Sequence, residues 1–300
     1  MNAIKDIKEN LKVVWDAGNG STGELLTKLV KHIPGKHVLI NSEIDGTFPA
    51  HHPDPTEEKN LKQIKNKIAE ENADLGIAFD GDGDRIGVVD SKGNLISGDK
   101  LLLLYATDLL RSQKGASIIG DVKASNIIFD EIDSLGGKPI MWKTGHSLIK
   151  AKMKETGSIL AGEMSGHIFF ADKYYGFDDA MYAAIRLLNI ISNNFNMIKF
   201  LEKFKGFFST PEIKVYCNDR EKFKIIKKIH KEITAQYEDI NLIDGVRVNL
   251  KNGWWLIRAS NTQPAIILRC ESNSQKGLLE ILNKVSILLS NAGLEVKDLL

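Results

Sequence analysis

Along the first hundred positions the apolar residues fall into short runs separated by polar breaks. Lys12–Asp16 (K-V-V-W-D) and His37–Ile40 read as strands, with a helical stretch from Glu24 to His32 between them. Asp54-Pro55 is expected to open a second helix, with proline at its first position and Leu61, Ile64 and Ile68 on one face. Ala73–Phe79 and Ile86–Val89 then read as two strands on either side of a short polar interruption. From Gly98 to Lys205 helix and strand alternate. A leucine-rich helix over Leu101–Leu110 has Asp99 as its candidate cap, and Ser117–Gly120 is a strand. Ser125 caps a helix over Asn126–Leu135, which Gly136-Gly137 stops. Pro139–Trp142 and Ser158–Ala161 are strands around a helix over His146–Glu155, and two more helices begin near Asp178 and Asn196. This rhythm implies a largely parallel sheet. The last stretch differs, because its strands cluster. Glu212–Tyr216, Val246–Leu250, Trp254–Ala259 and Ala265–Cys270 are strands, with a long basic helix over Asp219–Tyr237 and a final helix over Lys276–Asn291. The expected fold class is α/β: two mixed α/β domains, 1–97 and 98–207, followed by a smaller α+β domain, 208–300. The clearest join is near Gly206–Pro211.

Composition narrows the partners. The 300 residues carry 40 basic and 39 acidic side chains, a net charge of +1, so nothing points to nucleic acid or an anionic membrane surface. No apolar run approaches the roughly 18 residues of a membrane span, and the N-terminal residues do not form a signal peptide. Cys217 and Cys270 both sit in strand-like contexts and read as buried thiols rather than a disulfide or metal pair. The chain reads as a soluble cytoplasmic protein.

The polar interruption carries the chemistry. Asp80-Gly81-Asp82-Gly83-Asp84-Arg85 places three carboxylates at every second position. In an extended strand such side chains share a face but lie roughly 6–7 Å apart, too far for one small cation. The segment must therefore curl, which Gly81 and Gly83 permit. Three acids brought together repel unless a cation or arginine offsets them, and oxygen-only donors point to Mg²⁺. An EF-hand is excluded, since its sixth position would be Arg85 and its twelfth Ser91. An arginine beside a cation site suits a shared phosphate.

Other segments offer donors and acceptors. Gly162-Glu163-Met164-Ser165-Gly166-His167 follows a short strand, and Glu163, Ser165 and His167 suit the vicinal hydroxyls of a sugar. Read as structure alone, it is a polar loop whose histidine satisfies a carbonyl. Arg258-Ala259-Ser260-Asn261-Thr262-Gln263-Pro264 lies between two strands, and its donor density favours an anion cradle over a plain hairpin. Lys123 and His146 follow neighbouring strands, at the edge where ligands bind in parallel sheets. A helix-capping histidine and a solvated lysine are the alternative. Gly18–Gly23 formally matches the dinucleotide fingerprint, yet Asp45 lies in a loop rather than at a strand end, which favours a structural tight turn. His51-His52 lacks a third ligand at zinc spacing and reads as structural.

In this order, I-D-G-T-F-P-A-H-H-P-D-P (44–55), D-G-D-G-D-R (80–85), K-T-G-H-S (143–147), G-E-M-S-G-H-I-F-F (162–170) and R-A-S-N-T-Q-P (258–264) closely resemble the landmarks of the α-D-phosphohexomutase family, in its phosphomannomutase/phosphoglucomutase branch. The resemblance spans nearly the whole chain. It implies the second to fourth domains of that architecture, with Asp80, Asp82 and Asp84 binding Mg²⁺ and Arg85 contacting a catalytic phosphoserine. Glu163 and Ser165 would hold sugar hydroxyls, with His167 in the same loop. Arg258, Ser260, Asn261 and Thr262 would hold the non-reacting phosphate, and Lys123 and His146 would line the site as catalytic residues, assisting proton transfer or phosphate neutralisation. Met164 stands where glucosamine-type members usually carry glutamine, which favours glucose and mannose phosphates. The implied reaction interconverts hexose 1-phosphate and 6-phosphate through a phosphoserine and a 1,6-bisphosphate. One departure stands out: the family's nucleophile lies in a Ser-His-Asn-Pro-like segment, and no such segment occurs here. The chain alone is therefore expected to turn over poorly and to need a separate serine-bearing domain, or else to be a non-catalytic sugar-phosphate-binding remnant or sensor.

Overall fold

Val13, Val14, Trp15 and Asp16 have no more than 1% of their surface exposed, so Lys12–Asp16 (β1) can only be an interior strand. The computed structural model describes Ile4, Ile7, residues 11–193 and residues 195–294. The outermost ends of the first and third expected domains lie outside these. Around β1 and Gly23–Leu29 (α1) the chain adds Lys36–Ile40 (β2), Lys62–Glu71 (α2), Leu75–Phe79 (β3), Ile86–Asp90 (β4) and Leu95–Ile96 (β5). The sheet order is β2-β1-β3-β4-β5. β1 runs parallel to β2 and β3, whereas β3, β4 and β5 are antiparallel neighbours. Asp16 pairs with Ala78, so the loops leaving β1 and β3 emerge side by side at the carboxyl edge.

A second sheet follows, from Gly98–Ser112 (α3), Ser117–Asp121 (β6), Asn126–Ser134 (α4), Lys138–Trp142 (β7), His146–Thr156 (α5), Leu160–Gly162 (β8), Ile168–Phe170 (β9), Ala180–Ser192 (α6) and Met197–Leu201 (α7). Its order is β7-β6-β8-β9, with β6 parallel to β8 and β9 antiparallel to β8. The apolar face of α3 is buried from Leu101 to Leu104 and again at Leu109 and Leu110. Asp179 caps α6 by accepting from the Tyr182 amide.

The remaining elements are Phe208–Ser209 (β10), Ile213–Tyr216 (β11), Lys222–Ile233 (α8), Ile240–Asn241 (β12), Val246–Leu250 (β13), Gly253–Ala259 (β14), Ala265–Ser272 (β15) and Gln275–Asn291 (α9). All pairings in this sheet are antiparallel. Ile225, Ile229 and Ile233 of α8 and Ile281, Val285 and Leu289 of α9 join Val248, Trp255, Ile257, Leu268 and Cys270 in one core. Contacts divide the chain into two compact units. The first holds residues up to Met141 together with His146–Phe200; the second holds Trp142–Gly145 together with the residues from Leu201 onward. Among the described residues no helix is long and apolar enough to cross a membrane.

One expectation needs correction. Asp54-Pro55 does not open a helix. Asp54 Oδ1 instead accepts from the Thr56 amide and hydroxyl, at 3.0 and 2.7 Å, closing a local turn. A short 3₁₀ turn over Glu58–Leu61 then precedes α2. The helices expected near Asp178 and Asn196 are present as α6 and α7, and β9 is an addition to the expected elements: the chain turns back after β8 into a strand of only three apolar residues, too few to be read from the sequence.

Candidate active site

Tight packing of backbone on backbone places the acidic loop. The carbonyl of Gly81 accepts from the Ser21 amide at 2.9 Å, and a Cβ on Gly20 would fall 2.7 Å from that oxygen. Gly18 and Asn19 take left-handed conformations, at φ +56° and +57°. The glycine-rich loop after β1 is thus a structural turn that buttresses the loop after β3. His51, on the irregular segment that follows β2, places Nε2 3.0 Å from the buried Asp16 Oδ2 and ties that segment to the end of β1.

Gly83, at φ +80°, lets the loop curl. Asp80 Oδ1 accepts from the amides of Gly83 and Arg85 at 3.0 and 3.1 Å, and its Oδ2 accepts from Arg85 Nε at 2.7 Å. Oxygens of Asp80, Asp82 and Asp84 come within 4.8 Å of one another. The crowding shows in their protonation. Burial would raise Asp80, but hydrogen bonds from Arg85 outweigh it and hold this carboxyl low. Burial and the Asp80 carboxylate push Asp82 up. Asp84 is pushed up to about 6 by burial, with Asp80 and Asp82 adding to the rise. Three carboxylates balanced by one arginine suit a hard divalent cation, which would relieve this repulsion. Asp84, His167 and Asp178 form a second cluster of comparable size. Its charge is already met within the protein, because Lys150 Nζ lies 2.9 Å from Asp178 Oδ1 and His167 Nδ1 3.1 Å from Oδ2.

The β8–β9 hairpin stands against this loop in the same unit. The Ile86 amide donates to the Gly166 carbonyl at 3.1 Å, and Arg85 and His167 form an isolated antiparallel bridge. Glu163, nearly fully buried, and Ser165 lie on the hairpin turn, which the Glu163 amide closes onto the His167 carbonyl at 2.9 Å. His167 stacks on His146 with ring centroids 5.7 Å apart, and its Nδ1 is 3.6 Å from Asp84 Oδ1. Burial would lower its pKa, but the hydrogen bond with Asp178 and the Asp84 charge raise it. Asp178 is correspondingly held well below the usual carboxylate range, the pull of His167 and Lys150 exceeding the effect of burial. Lys123 is buried just beyond β6, with Nζ 3.6 Å from Asp121 Oδ2. Gly120 and Gly162 are paired, so the ends of β6 and β8 are level.

The Arg258–Pro264 loop builds a separate site in the second unit. Asp244 Oδ2 accepts from Arg258 Nε at 2.9 Å and from the Thr144 amide at 3.0 Å. Arg258 is 4% exposed, and its Nη2 is buried with no hydrogen-bond partner, an orphaned donor that an anion could satisfy. Asn261 Nδ2 donates to the Thr144 carbonyl at 3.2 Å. Ser260 Oγ accepts from the Thr262 and Gln263 amides at 3.4 and 3.1 Å, while Asn261 and Thr262 are exposed.

Asp80, Asp82, Asp84, Arg85, His146 and His167 are thus joined by contacts in the first unit, with Glu163 and Ser165 on the same hairpin and Lys123 at the adjoining strand end. Arg258, Ser260, Asn261 and Thr262 form the loop of the second. Sequence reading missed Asp54, 3.3 Å from Arg85 Nη1, as well as Asp178 and Asp244. None has a spacing that points to its partner, which only the fold reveals.

Three family models match in succession: phosphoglucomutase/phosphomannomutase alpha/beta/alpha domain II over residues 1–93, domain III over 97–204 and the C-terminal domain over 212–287. The chain belongs to the phosphoglucomutase/phosphomannomutase family. A phosphomannomutase/phosphoglucomutase of Pseudomonas syringae pv. tomato is 48% identical over 284 residues, covering 93% of this chain and 61% of the relative. A phosphoglucomutase of Neisseria meningitidis serogroup A is 41% identical over 289 residues, covering 95% and 62%. A crystal structure of a phosphoglucomutase/phosphomannomutase family protein from Burkholderia thailandensis superposes with a TM-score of 0.89 at 42% identity, covering 98% of this chain and 64% of that one. The chain therefore spans about three-fifths of the length of these family members, and its two mixed sheets and one antiparallel sheet follow the family architecture.

Proposed function

We propose that this chain provides the cation-, sugar- and phosphate-binding parts of a phosphohexomutase that interconverts the 1- and 6-phosphates of glucose or mannose. The observation that carries this reading is the joining of the Asp80–Arg85 loop to the Glu163–His167 hairpin by shared backbone hydrogen bonds, within a family whose named relatives are such mutases. Asp80, Asp82 and Asp84 would hold Mg²⁺, which when bound supplies positive charge beside the transferring phosphoryl group. Arg85, fixed through Nε by Asp80 and with Asp54 Oδ1 3.3 Å from its Nη1, would present Nη2 to the same phosphate. Glu163 and Ser165 would bind vicinal hydroxyls. His167, with Nδ1 held by Asp178, keeps Nε2 to exchange a proton with the reacting hydroxyl, and His146 and Lys123 would line the site. Arg258, Ser260, Asn261 and Thr262 would grip the phosphate that is not reacting.

The sugar hydroxyl attacks a phosphoserine, the serine oxygen leaves, and a hexose 1,6-bisphosphate forms. After the sugar reorients, the serine takes back the other phosphoryl group. In this reading the serine is supplied by a separate domain, since no Ser-His-Asn-Pro-like segment occurs in the 300 residues. The test is calorimetric titration of the purified chain with glucose 6-phosphate and with Mg²⁺. The chain should bind both; Asp82→Asn with Asp84→Asn should abolish Mg²⁺ binding, and Arg258→Gln should weaken the sugar phosphate about tenfold or more. A folded chain that binds no hexose phosphate would overturn the proposal.

A further inference from the structure

Lys222 sits where a lysine is least expected. It is the first residue of α8, where the helix dipole disfavours a cation, and its side chain is only 5% exposed. Its three donors are nevertheless all used. Nζ donates to the Ser260 carbonyl at 2.7 Å and to the Gln263 carbonyl at 3.1 Å, and it lies 2.6 Å from Asp219 Oδ1. The two carbonyls bracket the loop that carries Ser260, Asn261 and Thr262.

We propose that Lys222 is a positioning residue for anion binding, clamping both ends of this loop from behind so that its carbonyl dipoles are turned to the ammonium and away from a bound phosphate. This rests on the function proposed above. Carbonyl oxygens repel a phosphate, and a short loop rich in donors carries as many acceptors as amides. Lys222 removes two of those acceptors. Ser260 Oγ accepts from the Thr262 and Gln263 amides, so its hydroxyl proton remains to donate to a ligand. The Cys217 amide takes the Pro264 carbonyl at 3.0 Å, completing the engagement of the loop's exit. The ammonium also adds a buried positive charge behind the anion. Asp219 offsets it weakly, being 67% exposed and screened by solvent.

The experiment uses the full chain with Lys222→Met, Lys222→Gln and Lys222→Arg. Each is titrated with glucose 6-phosphate and with Mg²⁺, whose binding loop belongs to the other compact unit and reports a merely global defect. Lys222→Met should weaken glucose 6-phosphate about tenfold or more, leave Mg²⁺ affinity unchanged, and lose part of the salt dependence of phosphate binding. Lys222→Arg, which keeps the charge, should recover a large share of the affinity. Undiminished phosphate affinity in Lys222→Met overturns the inference, as does an equal loss of Mg²⁺ binding. Should Lys222→Met not fold, Lys222→Gln decides in the same way; if neither folds, Lys222 is a structural residue and the proposal falls. A wild-type chain that binds no hexose phosphate at all sinks the proposed function itself.

Discussion

His51 and Asp16 lie outside the candidate chemistry, yet they fix the loop beside it. Asp16 is wholly buried and His51 Nε2 is 3.0 Å from its Oδ2, while Asn41 Nδ2 donates to Oδ1 at 2.9 Å. The hydrogen bond to Asp16 raises the His51 pKa above its ordinary 6.5 despite the opposing effect of burial. The sign follows: the folded state holds this proton more tightly than the unfolded state. The charged pair therefore contributes its full stability below the ordinary histidine value and loses it as pH rises through the raised one. The stability difference between wild type and His51→Gln, from urea denaturation between about pH 5 and 8, should shrink with rising pH. A difference that stays flat would remove the charge from the account. At this scale the sequence was partly readable. The parity of Asp80, Asp82 and Asp84 marks a site because a turn needs only one such acid, and His51 reads as structural for want of a third ligand. Asp54, Asp178 and Asp244 have no such signature, since their meaning comes from Arg85, His167 and Arg258, each far away in sequence or without a fixed spacing.

Among the elements, the β8–β9 hairpin depends most on a single backbone choice. Gly166 adopts φ +93°, and a Cβ there would fall 2.5 Å from the Ile86 carbonyl oxygen. Gly93, at φ +83°, has nothing within 4 Å of a Cβ. Gly166→Ala should therefore cost about 1–3 kcal/mol and weaken sugar-phosphate binding, whereas Gly93→Ala should cost about 1 kcal/mol and leave binding alone. Thermal denaturation with a parallel titration separates the two, and equal costs would argue against the steric account. The hairpin also shows why some elements escape sequence reading. Leu160–Gly162 falls within reach of the strand expected over Ser158–Ala161, but Ile168–Phe170 is only three residues, below the length at which periodicity distinguishes a strand. Proline at a first helical position misled in the same way at Pro55, where hydrogen bonds between Asp54 and Thr56 captured the chain before a helix could start.

For the molecule as a whole, the α/β rhythm and the clustered strands near the C-terminus were legible because hydrophobic period and glycine placement agree over long stretches. The antiparallel additions β5 and β9 were harder, since each extends its sheet by a short edge strand. The chain covers 61–62% of the named relatives from Pseudomonas and Neisseria, and the proposed chemistry requires a serine it does not contain in the family's segment. Mixing the purified chain with a separately expressed serine-bearing domain of such a relative should generate conversion of glucose 1-phosphate to glucose 6-phosphate that neither component shows alone. Binding without conversion, with both parts folded, would favour the role of a sugar-phosphate sensor.

The amide of Ile86 and the carbonyl of Gly166 do more than hold two strands together. Because the acidic loop and the hairpin share this bond and the Arg85–His167 bridge, they behave as one jaw of a vice and not two. The span from the acidic loop to the turn of the hairpin is therefore set by the backbone, and under the proposed function a hexose of the wrong ring size could not be met by sliding one loop past the other. A substrate that must present first one end and then the other would have to pivot against a rigid rim, so any slack the reaction needs has to come from the ligand or from other parts of the enzyme.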